Sequence, residues 1–282
     1  MLAAAIGIVS AFIFGCADFL GGLASRRSHA VLVTATSAAT GLVLLGVTLP
    51  LTGGVWSIEA VMWGALSGVA GALAIALLYA CLAIGPMSIL SPLTAVVSAL
   101  VPVGVGLARG ETFGTWGYVG LALALVAVVL VGFVPERGAV RPNLKGVLMA
   151  IGSGAMIGLF LVLFDLAPDD SGLIPLVFNR LTNASLMAMT FAVLLLTRRV
   201  SRPVSKAGLK IAVGGGLVDA VANSLLLVGV RVGDLSVMGV LSALYPIGTI
   251  VLAATIGRER IAPVQWAGLV LALGSVALLS LS

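Results

Sequence analysis

Asp219 and Asn223 lie four apart in "GGGLVDAVANSLL" (214–226), a spacing that puts both on one helix face. A carboxylate beside an amide can accept hydrogen bonds from an ammonium or hydroxyl group, or take up a proton. In a hydrocarbon setting such a carboxylate is costly and turns toward a cavity or a partner; the alternative is a helix end among headgroups. Tyr245, with Ser242 one turn before it, and Tyr79 could each hydrogen-bond a substrate, the tyrosines also offering it an aromatic face. Tyr79, Asp219, Asn223, Ser242 and Tyr245 are therefore the expected lining of a substrate cavity.

Asn179, Arg180 and Asn183 form a second group in "FNRLTN" (178–183), and Asp18 stands in "FGCADFLGG" (14–22). Arg180 could snorkel to an interface, pair with Asp165, Asp169 or Asp170 of the preceding loop, or clamp a substrate carboxylate. Asp18 could cap a helix, pair near an interface or face a cavity. These four are candidates for a gate or clamp. Glu111 and Glu259 sit in "ARGET" and "GRER" beside arginines, where each is expected to cap the amides of the helix that follows. Pro92, Pro102 and Pro246 each remove a backbone donor and permit a kink, with Pro246 and Gly248 forming the best hinge candidate. Enzymatic signatures are missing. One histidine, His29, and two distant cysteines cannot build a metal site. "GSG" at 152–154 is not followed by GK, so no phosphate loop is expected. No catalysis, metal or cofactor is expected.

The elements that must position these groups are apolar. Of 282 residues, 61% are hydrophobic and 9% charged, against about 25% charged in soluble domains. Mean hydropathy is +1.25, and apolar runs of about 20 residues, enough to cross a bilayer as a helix, recur throughout. They are too long and too uniform for barrel strands. Ten spans are expected, at about 2–24, 30–49, 60–83, 87–108, 114–134, 145–164, 173–196, 208–229, 235–256 and 262–281. The first run lacks a basic leader and reads as a spanning helix. The 36 glycines suit close helix packing in lipid.

The chain also repeats itself. A shift of 148 residues brings Gly85, Ser88, Glu111 and Gly120 onto Gly233, Ser236, Glu259 and Gly268. The glutamates carry weight because Glu is rare here. The expected fold class is thus an all-α polytopic membrane protein of ten transmembrane helices in two inverted five-helix repeats, 1–134 and 145–282. An odd number of spans per half forces the inversion. Twelve of the 15 Lys and Arg residues fall on loops of one side, Arg26 and Arg27 through Arg258 and Arg260, and only Arg109 and Arg231 on the other. Positive-inside logic places the twelve in the cytoplasm and both termini outside. The net charge of +5 is then an orientation signal aided by anionic lipid headgroups, and no nucleic-acid partner is expected.

The run "SALYPIGTIVLAATIGRERIAPVQWAGLVLALGSVALL" (242–279) resembles the EamA domain, found twice in ten-helix members of the drug/metabolite transporter superfamily. Pro246, Glu259, Trp266 and Gly268 fall on its pattern. In the first half Glu111, Tyr118 and Gly120 fit, while Ser98 stands in place of the usual proline. Arg180 matches an arginine frequent early in the second helix of a repeat; the first half has Leu32 there. The resemblance implies a secondary transporter of the amino acid or metabolite exporter branch, in a bacterial inner membrane. It also implies a central cavity lined by spans 1, 3, 4, 6, 8 and 9. The expected partner is a small amino acid-like solute in a monomeric carrier. The other readings are a flippase for lipid-linked substrates and a structural membrane subunit that transports nothing.

Overall fold

The computed structural model describes residues 2–82, 87–132, 143–198, 204–256 and 262–279. Among them the chain is helical, with no strand: α1 (Leu2–Ser25), α2 (Ala30–Thr52), α3 (Ile58–Leu82), α4 (Met87–Ala108), α5 (Thr115–Gly132), α6 (Leu144–Asp165), α7 (Ile174–Leu196), α8 (Lys206–Val232), α9 (Leu235–Ser242), α10 (Pro246–Thr255) and α11 (Pro263–Leu279). A single 3-10 turn, Asp169–Ser171, precedes α7. Six segments are long and apolar enough to cross a bilayer: α1, α2, Ile58–Leu78, α6, α8 and Leu235–Leu252. Pro92–Ala108, Thr115–Val131 and Pro263–Leu279 are apolar but shorter.

The interior and exterior are those of a membrane protein. Buried positions are dominated by Ala, Gly and Ser, such as Ala4, Ala11, Ser10 and Ala220, while Leu51, Val43, Val47, Met189, Leu196 and Leu273 are exposed. Lipid solvates large apolar side chains as well as a protein core does, so small residues line the contacts where backbones approach. α7 makes the same choice with polar groups. It buries Asn179, Arg180 and Asn183 and exposes Leu181, Met189, Val193 and Leu195. The chain is an all-α, multi-pass membrane protein.

α1 packs along α8 and against α9 and α10; α3 packs along α6 and α7; α2 lies on α7 and α8; α4 lies on α6 and α9; α5 lies on α11. Several helix starts are capped locally. His29 accepts from Val31 N at 3.3 Å, Asn143 from Gly146 N at 2.7 Å and Ser205 from Gly208 N at 3.4 Å, each satisfying an amide that the helix leaves free.

Two expectations about prolines change. The stretch expected as one span at 235–256 is divided. Residues 243–245 tighten through Leu244 N to Leu241 O, Tyr245 N to Ser242 O and Ile247 N to Leu244 O, the three-residue pattern of a 3-10 turn, and Pro246 starts α10 at a position where its missing N–H costs nothing. Pro92 and Pro102, by contrast, leave α4 helical. Pro102 removes the amide that would close onto the Ser98 carbonyl, and Gly158 of α6 lies against that carbonyl.

Candidate functional site

The break between α9 and α10 is held against α1 by backbone. Gly15 abuts the Tyr245 carbonyl, Gly248 abuts the Phe12 carbonyl, and Thr249 Oγ1 donates to Gly15 O at 3.1 Å. This crossing sets Ser242, Ala243 and Tyr245 on the wall of a cavity of about 240 Å³ in the centre of the bundle. α1 adds Phe14 and Asp18, α3 adds Gly71, Ile75 and Leu78, α4 adds Ser98, and α6 adds Ile157, Phe160 and Leu161. α7 supplies Asn179, Arg180 and Asn183, and α8 supplies Asp219, Asn223 and Leu226. A second space of about 170 Å³ shares Asp18, Ile75, Arg180, Asn183 and Asp219 with the first and runs past Gly21, Gly22, Ser37 and Thr34 to Ser25, the last residue of α1. Together they lead from the centre of the bundle toward the end that carries Arg26, Arg27, Lys206 and Lys210. There Ser28 Oγ accepts from Ser205 N at 3.1 Å and joins the two loops.

The charged centre is an ion pair. Arg180 Nη1 lies 2.8 Å from Asp219 Oδ2, so Arg180 reaches across to α8 rather than to Asp165, Asp169 or Asp170. Asn223 Nδ2 donates to Asp219 Oδ1 at 3.1 Å and to the Asp219 carbonyl at 2.8 Å, as the four-residue spacing predicts. Asn179 Nδ2 donates to Ser67 Oγ at 2.8 Å, which ties α7 to α3. Ser242 Oγ donates to Gly239 O at 3.0 Å. Asp18 is exposed to the cavity and, among the described residues, has no hydrogen-bond or ion-pair partner, so it neither caps a helix nor pairs at an interface. Three buried polar atoms around it also lack partners among the described residues: Arg180 Nε, Asn183 Oδ1 and Asn223 Oδ1.

The structure therefore gathers Asp18, Asn179, Arg180, Asn183, Asp219, Asn223, Ser242 and Tyr245 into one site. α7 and, through the second space, α2 join the helices expected to line it. The side chain of Tyr79 and the whole of Glu259 lie outside the described residues. Sequence reasoning missed Phe14, Phe160 and Ser98; only Ser98 carried a signal, because the repeat places it opposite Pro246.

At the opposite end the described residues are tied together across the bundle. Glu111 Oε1 accepts from Leu235 N at 2.7 Å and Oε2 from Ser236 N at 3.1 Å. Glu111 thus caps α9, from the other half of the chain, and not α5, the helix that follows it. Asp234, adjacent to α9 in sequence, makes no side-chain cap. Arg109 pairs with Asp165. Arg231 Nη2 donates to Ser171 Oγ at 2.9 Å and to Pro168 O at 3.3 Å, and Val55 N donates to Asp170 O at 2.8 Å. Gly53 and Gly172, with φ of +67° and +55°, adopt a left-handed backbone open to glycine, and a side chain on Gly172 would collide with the Gly53 carbonyl.

A family model described as the EamA-like transporter family matches residues 144–281. This segment is an EamA-like transporter domain. The EamA-like domain contributes both partners of the ion pair and all three asparagines of the site. Among the solved structures similar to the chain, one crystal structure has a TM-score of 0.77 over 99% of this chain and 97% of that one. At 17% identity the likeness is one of fold. No curated protein matches the chain.

Proposed function

We propose that this protein is a secondary transporter that moves amino acids or similar small metabolites across a bacterial inner membrane by alternating access, in the direction of export. The observation that carries this reading is a central cavity with a cluster of polar side chains on its wall, continued toward one end by a second space along α1 and α2 and crossed at the other end by contacts between helices. Such a geometry is one of the two states that a carrier exchanges around a central site. The EamA-like domain supports membrane transport as the activity. Positive-inside logic makes the basic end cytoplasmic, so a solute would enter from the cell interior.

The two halves, 1–134 and 145–282, are the moving bodies in this reading. Helix packing supports their equivalence as inverted repeats. α1 on α8 has its counterpart in α3 on α6, α2 on α8 in α3 on α7, and α1 on α9 and α10 in α4 on α6. These contacts survive exchange of the halves.

The test is flux through purified protein in proteoliposomes, with a panel of radiolabelled amino acids and amines. Saturable uptake accelerated by unlabelled solute inside the vesicle is expected. Folded protein that moves nothing on the panel would point away from amino acid-like substrates.

A further inference from the structure

The central site holds unpartnered acceptors on Asp18, Asn183 and Asn223, beside one unpartnered buried donor, Arg180 Nε. Asp219 is satisfied within the protein, since Oδ2 faces Arg180 and Oδ1 receives Asn223. Asp18 has neither kind of partner among the described residues, although it lies within electrostatic range of Asp219 and Tyr245. Asn223 is 1% exposed and Asn183 7%, and the side-chain oxygen of each is unmatched. The orientation of Asn223 is set by its donation to the Asp219 carbonyl and carboxylate, so its oxygen must point away from them. An ammonium group carries three donors and no acceptor, the complement of one carboxylate and two amide oxygens.

Charge leads to the same ligand. Asp18, Arg180 and Asp219 are the charged residues on the cavity walls. Arg180 and Asp219 neutralise each other, which leaves Asp18 as the acid of the cavity with no countercharge among the described residues. A ligand carboxylate would meet that acid and would compete with Asp219 for Arg180. Phe14, Ile75, Leu78, Phe160 and Leu226 complete the wall and suit an apolar body.

Resting on the carrier reading above, we propose that Asp18 binds the ammonium group of the substrate. The site then selects monocationic primary amines with an apolar body over zwitterions and acids of the same shape.

The experiment uses the full chain in nanodiscs and two matched trios. One is phenethylamine, phenylalanine and hydrocinnamate; the other is isoamylamine, leucine and isocaproate. Calorimetric titration is expected to rank each amine above its amino acid, with no binding of the acid. Asp18→Asn should weaken amine binding by about 10- to 100-fold, the range for a charged hydrogen-bonded contact, and Asp18→Glu should keep the rank order. The wild-type ranking needs no variant, so a misfolded substitution does not rescue the idea. An amino acid ranked above its amine, two amines that fail to bind, or a folded Asp18→Asn protein with undiminished amine affinity would each overturn it. Proteoliposome flux separates this inference from the reading beneath it. Amine binding without any flux removes the carrier and leaves the ammonium site standing. Saturable amino acid flux indifferent to Asp18→Asn does the reverse.

Discussion

Arg180 and Asp219 hold each other across the wall of the central cavity. Their side chains are 10% and 25% exposed. Removing one partner strands the other, at a cost of about 3–5 kcal/mol for a fully buried pair; contact of Asp219 with the cavity puts this case at the low end. Arg180→Gln is therefore expected to lower the thermal unfolding temperature in detergent clearly. Arg180→Gln combined with Asp219→Asn is expected to recover much of the loss, which a double-mutant cycle would measure. A combined loss equal to the sum of the single losses would show that the pair is not coupled. Each of these residues stood out in the sequence because a polar side chain is rare in an apolar run. Their pairing did not, because nothing in a linear pattern says which face of α7 meets which face of α8. The sequence pointed Arg180 at the nearest acids in the chain, Asp165, Asp169 and Asp170. Asp165 instead meets Arg109, a partner from the other half.

Helix ends and crossings decide how the site is framed. α9 spans Leu235–Ser242, too short to be stable without its surroundings, and its first two amides depend on Glu111. Glu111→Ala is expected to lower stability by about 1–2 kcal/mol, the range for a lost N-cap or charged helix-end contact. Glu111→Gln, which keeps one acceptor oxygen, should lose less. Equal unfolding temperatures for wild type and Glu111→Ala would refute the cap. The crossing of α1 with α10 makes the opposite kind of demand, for the absence of a side chain. Gly15→Ala drives a methyl group into the Tyr245 carbonyl and the Gly248 backbone. Such overpacking costs about 1–3 kcal/mol. Gly46→Ala, with open space around it on α2, serves as the control and should be neutral or stabilising. Span positions were legible in the sequence because twenty apolar residues bounded by polar loops leave little freedom. The division at 243–245 was legible only as a proline, and the same residue type at Pro92 and Pro102 leaves α4 unbroken. Whether a proline breaks or merely notches a helix depends on what packs against the freed carbonyl.

Across the whole molecule the two spaces mark a path from the centre of the bundle toward one end. With Cys16 and Cys81 replaced by Ala, Thr34→Cys lies on that path and is expected to react with a membrane-impermeant maleimide only from the cytoplasmic side. Labelling in inside-out vesicles but not in intact cells would confirm the sidedness, and the reverse pattern would invert the assigned topology. At this scale the sequence suggests a repeat through a few rare residues, yet the positions that the 148-residue shift pairs in the site are unequal. Gly71 and Ile75 precede Asp219 and Asn223 by 148 residues, and all four line the same cavity. The first half presents a blank and an alkyl chain where the second presents an acid and an amide. No sequence pattern flags the apolar pair, so half of the wall became visible only in three dimensions.

The unmatched carboxylate of Asp18 bears on the electrical behaviour of the cycle. In the carrier proposed above, a site whose ionised Asp18 holds a monocation is neutral, and the empty site carries one negative charge, worth about 2.3 kcal/mol for each 100 mV of potential it crosses. Exchange, in which both legs travel loaded, should then ignore voltage. Net efflux, which requires an empty return, should generate current and respond to the membrane potential. Asp18→Asn should abolish that response. A solid-supported membrane recording of the two modes would show whether the empty leg is the one that senses the field.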